Sequence, residues 1–149
     1  MPRLLSHLLC RRAAWCIALL LVACAGGPQA SATLDADNAA LAHSGSPYRW
    51  QMTRSADGAP VRRRVVIGEP APTRAEEPMQ RRILASIAQA EATCGATVPP
   101  QLLETRFIHH SDEQVEEAWV VTRGSARIAY LITLELGADA DFFVHGRCD

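Results

Sequence analysis

One helical period among several alternating stretches constrains this chain most. Between Met79 and Cys94 the apolar residues Met79, Ile83, Leu84, Ile87, Ala90 and Cys94 recur at helical spacing and make a narrow buried stripe. Around that segment the pattern changes to a period of two. Residues 48–54 place Tyr48, Trp50 and Met52 on one face, and residues 61–67 read as the return strand after the turn signal Asp57-Gly58. After the helix come strand patterns at 104–110, 114–122 (Trp119 and Val121 on one face), 127–136 (Ile128, Tyr130, Ile132, Leu134 and Leu136 on one face) and 141–145. Gly124-Ser125 suits a tight hairpin between the second and third of these. The order is β-β-α-β-β-β-β. Parallel neighbours each need a crossover, and one helix cannot serve six strands. The expected fold is α+β: an antiparallel sheet of five to six strands with one main helix packed on a face.

Local signals bound the helix. Thr73 followed by Glu76 reads as a capping box, Gly95 stops the helix, and Pro99-Pro100 prevents its resumption.

The first 24 residues read differently. Arg3, Arg11 and Arg12 form a basic start, and residues 13–23 form an apolar run. That run is too short to span a bilayer and has the length of a signal-peptide core. It ends at Leu21-Val22-Ala23-Cys24. These residues resemble the lipobox of bacterial lipoproteins: a branched apolar residue, then small residues, then Cys. The resemblance implies a diacylglyceryl group on the Cys24 thiol, cleavage after Ala23, and acylation of the new amine. Two or more acyl chains hold a protein stably to a membrane, whereas one does so marginally. Ala25 rather than Asp follows the Cys, which in that family implies the outer membrane, with the domain facing the periplasm. Ordinary secretory cleavage, after Ala25 or Ala32, is the alternative.

The expected organisation is a signal peptide over 1–23, the lipidated Cys and a flexible tether over 24–46, and a small domain over 47–149. The tether is small, polar and nearly uncharged, with a short helix over 32–41 as the alternative. All 15 basic residues are Arg. Without the leader, 12 Arg stand against 16 acids, a net charge of −4. A mildly acidic domain makes a poor nucleic-acid binder.

Cys10 and Cys16 fall in the leader, which leaves Cys94 and Cys148 for the folded region. In an exported domain two such residues form one disulfide, here between the helix end and a point just past the last strand.

His109 and His110, in the run His109-His110-Ser111-Asp112-Glu113, together with His145, are the candidates for metal binding or catalysis. Adjacent strand residues point to opposite faces, so His109 and His110 do not share one metal. Glu104 and Glu135 make a carboxylate pair only if the fold joins them. No nucleophile elbow and no Gly-rich phosphate loop is present. The expectation is therefore no catalytic residue, no metal and no cofactor. The chain reads as a non-enzymatic lipoprotein that presents its domain to an envelope or secreted protein, in assembly of the envelope or a secretion system or in neutralising a toxin or hydrolase. A periplasmic enzyme or metal-binding protein built on His109, His110 and His145 is the alternative. Candidate interface residues are Arg62 and Arg64, which share a strand face, and the two large aromatics Trp50 and Trp119. Arg62-Arg63-Arg64 also reads as a charged edge strand that discourages sheet-to-sheet pairing. At the level of topology the helix, sheet and terminal disulfide look like small secretion pilotins, although the N-terminal hairpin departs from the simplest pilotin pattern.

Overall fold

The computed structural model describes residues 27–137, 140–146 and 148. The leader, Cys24, Cys10 and Cys16 lie outside the described residues. The chain divides into two compact units, Met1–Asp35 and Ala36–Asp149. Everything that follows concerns the second, apart from the start of the first helix.

The elements are α1 (Gly27–His43), β1 (Tyr48–Arg54), β2 (Pro60–Val66), β3 (Glu69–Pro70), α2 (Glu77–Thr93), β4 (Leu102–His110), β5 (Gln114–Arg123), β6 (Ala126–Glu135) and β7 (Phe142–His145). The fold is α+β, with a five-stranded antiparallel sheet in the order β3-β4-β5-β6-β7 and a separate two-stranded sheet β1-β2. The N-terminal hairpin is thus a sheet of its own, and the main sheet takes its first strand from the two-residue β3. No period of two is visible in two residues, which is why the sequence pattern does not report β3. Gly68 makes the entry to it: its φ is +83°, and a Cβ there would overlap the Phe107 carbonyl oxygen.

Strands β5 and β6 form the centre of the sheet. Their register pairs Val115 with Leu134, Glu117 with Ile132, Trp119 with Tyr130 and Val121 with Ile128. Those side chains share the face toward α2. There Ile83 and Ile87 join Val115, Trp119, Val121, Tyr130, Ile132 and Leu134 in one core, and Phe107, Phe142 and Val144 pack at its margin. Trp119, Ile83, Ile87 and Ile132 have no exposed surface, and burying each such side chain contributes about 1.5–3 kcal/mol. Leu136 lies beyond the strand end and is 45% exposed, so the apolar alternation runs one residue past the sheet.

Two expectations for the helices are corrected. The segment expected to be a flexible tether is helical over Gly27–His43, which contains the alternative helix over 32–41 and extends it at both ends. Its second half is tied down by polar contacts: Asp37 pairs with Arg62 at 2.6 Å, and Asn38 bonds both backbone groups of Trp50. The capping box is also absent. The N-cap of α2 is Glu76, whose side chain caps nothing, and Pro78 sits in the first turn. Thr73 instead donates to Glu117 and accepts from the Ala75 amide.

The C-terminal end of α2 is as expected. Cys94 is the C-cap, Gly95 follows with φ +85°, and Cys94 is bonded to Cys148 with 5.2 Å between the Cα atoms.

Candidate functional site

Two buried carboxylates organise the domain around α2, and the sequence reading identified neither. Glu91 is one turn beyond Ile87 on the buried stripe and only 1% exposed. Arg123, at the end of β5, grips it through Nε and Nη2 at 2.7 and 2.8 Å, and the Tyr130 hydroxyl donates to the same carboxylate. The hydrogen bond from Arg123 holds the Glu91 carboxyl below its ordinary range, against the opposing effect of burial. Burial, together with donation to Glu91, pushes the Tyr130 hydroxyl up to about 12. The same pairing raises Arg123 further above its usual value. A signal was present, since an acid at the i+4 position from Ile87 contradicts an apolar stripe unless a partner meets it.

Glu117, also 1% exposed, lies on the core face of β5. It accepts from Thr73 Oγ1 (2.6 Å), the Arg74 amide (2.6 Å) and Trp119 Nε1 (2.8 Å). These bonds fasten the loop that leads into α2. Their donors are 43 and 44 residues away or sit on the same strand, so no local spacing reports them. Both clusters have their donors and acceptors matched, as a scaffold requires.

The histidines are not gathered into a site. His109 opposes Glu116 on β4, and His145 opposes Leu131 on β7. Three strand spacings separate β4 from β7, about 14 Å. His110 opposes Val115 and takes the other face from His109. All three are exposed. No group of His, Cys, Asp or Glu among the described residues is arranged to hold a metal ion. Glu104 and Glu135 sit toward opposite ends of the sheet, opposite Val120 and Gln114 across β5, and Glu104 is engaged by Arg127 at 2.9 Å and Arg106 at 3.5 Å.

Of the four candidate interface residues, Trp119 follows its alternation into the core and drops out as an anchor. It is fully buried, with its indole N–H spent on Glu117, and cannot anchor a partner. Trp50, Arg62 and Arg64 lie together on one face of the hairpin. The register sets Trp50 opposite Arg64 and Met52 opposite Arg62. The arginines lean diagonally, so that the Arg62 guanidinium stacks 4.2 Å over the Trp50 ring and that of Arg64 4.5 Å over the Tyr48 ring. Stacking of this kind is worth about 0.5–1 kcal/mol at an exposed site and holds the guanidinium planes in place. Met52, expected to be buried beside Trp50, is 49% exposed, because α2 and the core serve the other sheet. On the opposite face Arg63 lies directly across from Gln51 and diagonally from Arg49, and both arginines are exposed.

Tyr48 joins the hairpin to the main sheet. Its hydroxyl accepts from the Ala129 amide of β6 at 2.6 Å. A cleft of about 360 Å³ opens there, lined by Tyr48, Arg64, Arg123, Tyr130 and His145 among others. A second, of about 490 Å³, lies by the start of α2 between Arg74, Met79, Arg82, Leu134 and Leu136. No family model, curated protein or solved structure matches this chain.

Proposed function

We propose that this chain is an exported lipoprotein, held to the outer membrane by acyl groups on Cys24, whose disulfide-stapled α+β domain binds another protein and catalyses nothing. The observation that carries the binding reading is the hairpin. It is a sheet of its own, tied to the main sheet through Tyr48, and it places Trp50, Met52, Arg62 and Arg64 on one face, while Trp119 is spent on the core. Trp, Tyr and Arg are the residues on which protein interfaces concentrate their energy, and the hairpin offers half-buried Tyr48 and Trp50 beside exposed Arg62 and Arg64. The disulfide supports the export reading independently of the leader, because such bonds persist in oxidising compartments. The partner is an envelope or secretion-system component, or a toxin or hydrolase that the domain neutralises.

The test is photo-crosslinking in the cells that make the protein. A crosslinker at Gln51, in the hairpin, is expected to trap one discrete partner, and one at Leu103 on β4 is not. Loss of the trapped species on Trp50→Ala, with the fold intact, fits the reading. No discrete adduct from any hairpin position would contradict it. Combined His109→Ala, His110→Ala and His145→Ala is expected to leave crosslinking and cellular phenotype unchanged.

A further inference from the structure

The two edges of the hairpin are unequal. On β1, Asn38 of α1 closes the edge at Trp50: its amide donates to the Trp50 carbonyl at 3.0 Å, and its Oδ1 accepts from the Trp50 N–H at 2.6 Å. Those bonds show that the backbone groups of Trp50 point away from β2. In an antiparallel ladder, inward-bonded and outward-facing pairs alternate. The partner of Trp50 is Arg64, and two residues on Met52 faces Arg62. The backbone N–H and C=O of Arg62, Arg64 and Val66 are therefore turned toward the outer side of β2. Among the described residues β2 has β1 as its sole strand neighbour.

Charge says what this edge accepts. The two strands carry Arg49, Arg54, Arg62, Arg63 and Arg64 and no acidic residue; Asp57, in the turn, is the single acid of residues 48–66. Asp37 offsets Arg62 from outside the hairpin. A second copy paired through β2 would set arginine against arginine, which like-charge opposition disfavours. A strand of opposite charge meets the reverse condition. Its alternate side chains reach Arg63 and Arg49 on one face and lie along Trp50 and Met52 on the other.

We infer that the outer edge of β2 is a docking site for an extended acidic segment of a partner protein, added to the hairpin as a third strand. This deepens the reading of the domain as a protein binder and rests on it.

The experiment uses the full chain in detergent and a seven-residue peptide alternating glutamate with valine; the same peptide with lysine for glutamate is the control. The acidic peptide is expected to bind, more weakly as salt is raised, and to protect the Arg62 and Val66 amides from hydrogen exchange. The lysine peptide is expected not to bind. Arg62→Ala removes the side chain alone, whereas Arg62→Pro also removes the outward N–H. The proline variant is expected to bind about tenfold more weakly than the alanine variant, the worth of one or two backbone hydrogen bonds. Should Arg62→Pro fail to fold, the exposed double change Arg49→Glu with Arg63→Glu tests the charge requirement and is expected to abolish binding. No binding of the acidic peptide, protection at other amides, or equal binding by folded Arg62→Pro and Arg62→Ala overturns the inference. So does perturbation of the β2 amides by phosphatidylglycerol vesicles when the peptide has no effect. If crosslinking at Gln51 still traps a discrete partner in that case, the binding reading survives and only strand addition is lost.

Discussion

Arg123, Glu91 and Tyr130 connect three elements through a single carboxylate, so each member is exposed to loss of the others. Removing one partner of a buried pair leaves the other charge uncompensated, which costs more than the pair contributes. Arg123→Ala is expected to destabilise the domain by about 3 kcal/mol, measured by denaturant unfolding. A loss under 1 kcal/mol would show that the pair is solvated. The pH dependence has a definite sign. The Glu91 carboxyl is held below its unfolded value of 4.5, so its contribution is present above that pH and is lost as pH falls through the lowered folded value. Tyr130 runs the other way. Raised from 10.0 to about 12, it stabilises fully below pH 10 and loses its contribution between those values. Tyr130→Phe should therefore flatten the alkaline limb of stability between pH 10 and 12; an unchanged limb would contradict a hydroxyl raised by burial and by donation to Glu91. Gly146 belongs to the same cluster, since a Cβ there would overlap the Tyr130 ring.

The elements show what was legible in the sequence. Strands β5 and β6 were, because large apolar residues recur at alternate positions from Val115 and Ile128 onward, although the structure buries both faces over Glu117–Val121 and Ala129–Leu134. The core of α2 was, through Ile83 and Ile87. Its start was misplaced because Thr73 has a local capping partner in Glu76 and a better one, Glu117, in a strand that sequence spacing cannot reach. Helix α1 was legible only as the short alternative over 32–41, for another reason. It is Ala-rich without an apolar stripe, and what holds its second half is polar: Asp37 on Arg62 and Asn38 on Trp50. The shared face of Arg62 and Arg64 was legible, but not that Trp50 lies on the same face of the hairpin, outside the core. Two measurements belong at this scale. Glu117→Ala strands the Arg74 amide, the Thr73 hydroxyl and the Trp119 indole without their acceptor and is expected to cost about 2–4 kcal/mol, read by thermal melting. A melt unchanged within error would mean that water replaces the carboxylate. Asn38→Ala should speed hydrogen exchange at the Trp50 amide while leaving the β5 amides protected; unaltered exchange would show that the β1 edge is closed by something else.

At the scale of the whole molecule, the Cys94–Cys148 bond joins the end of α2 to the chain just after β7, closing 54 residues. By chain entropy that is worth about 4 kcal/mol, comparable with the entire stability of many domains of this size. Reduction is expected to lower the melting temperature by roughly 20 °C; no shift would mean that the sheet holds β7 unaided. In the proposed reading this staple, the leader and the arginine-faced hairpin serve one end: a domain exported, anchored by lipid on Cys24 and displayed for binding. Mass spectrometry of the N-terminal peptide from the membrane fraction checks the lipid. The predicted result is a chain beginning at Cys24 that carries diacylglyceryl on sulfur and an acyl group on the amine. A chain beginning elsewhere, or at an unmodified Cys24, would contradict it.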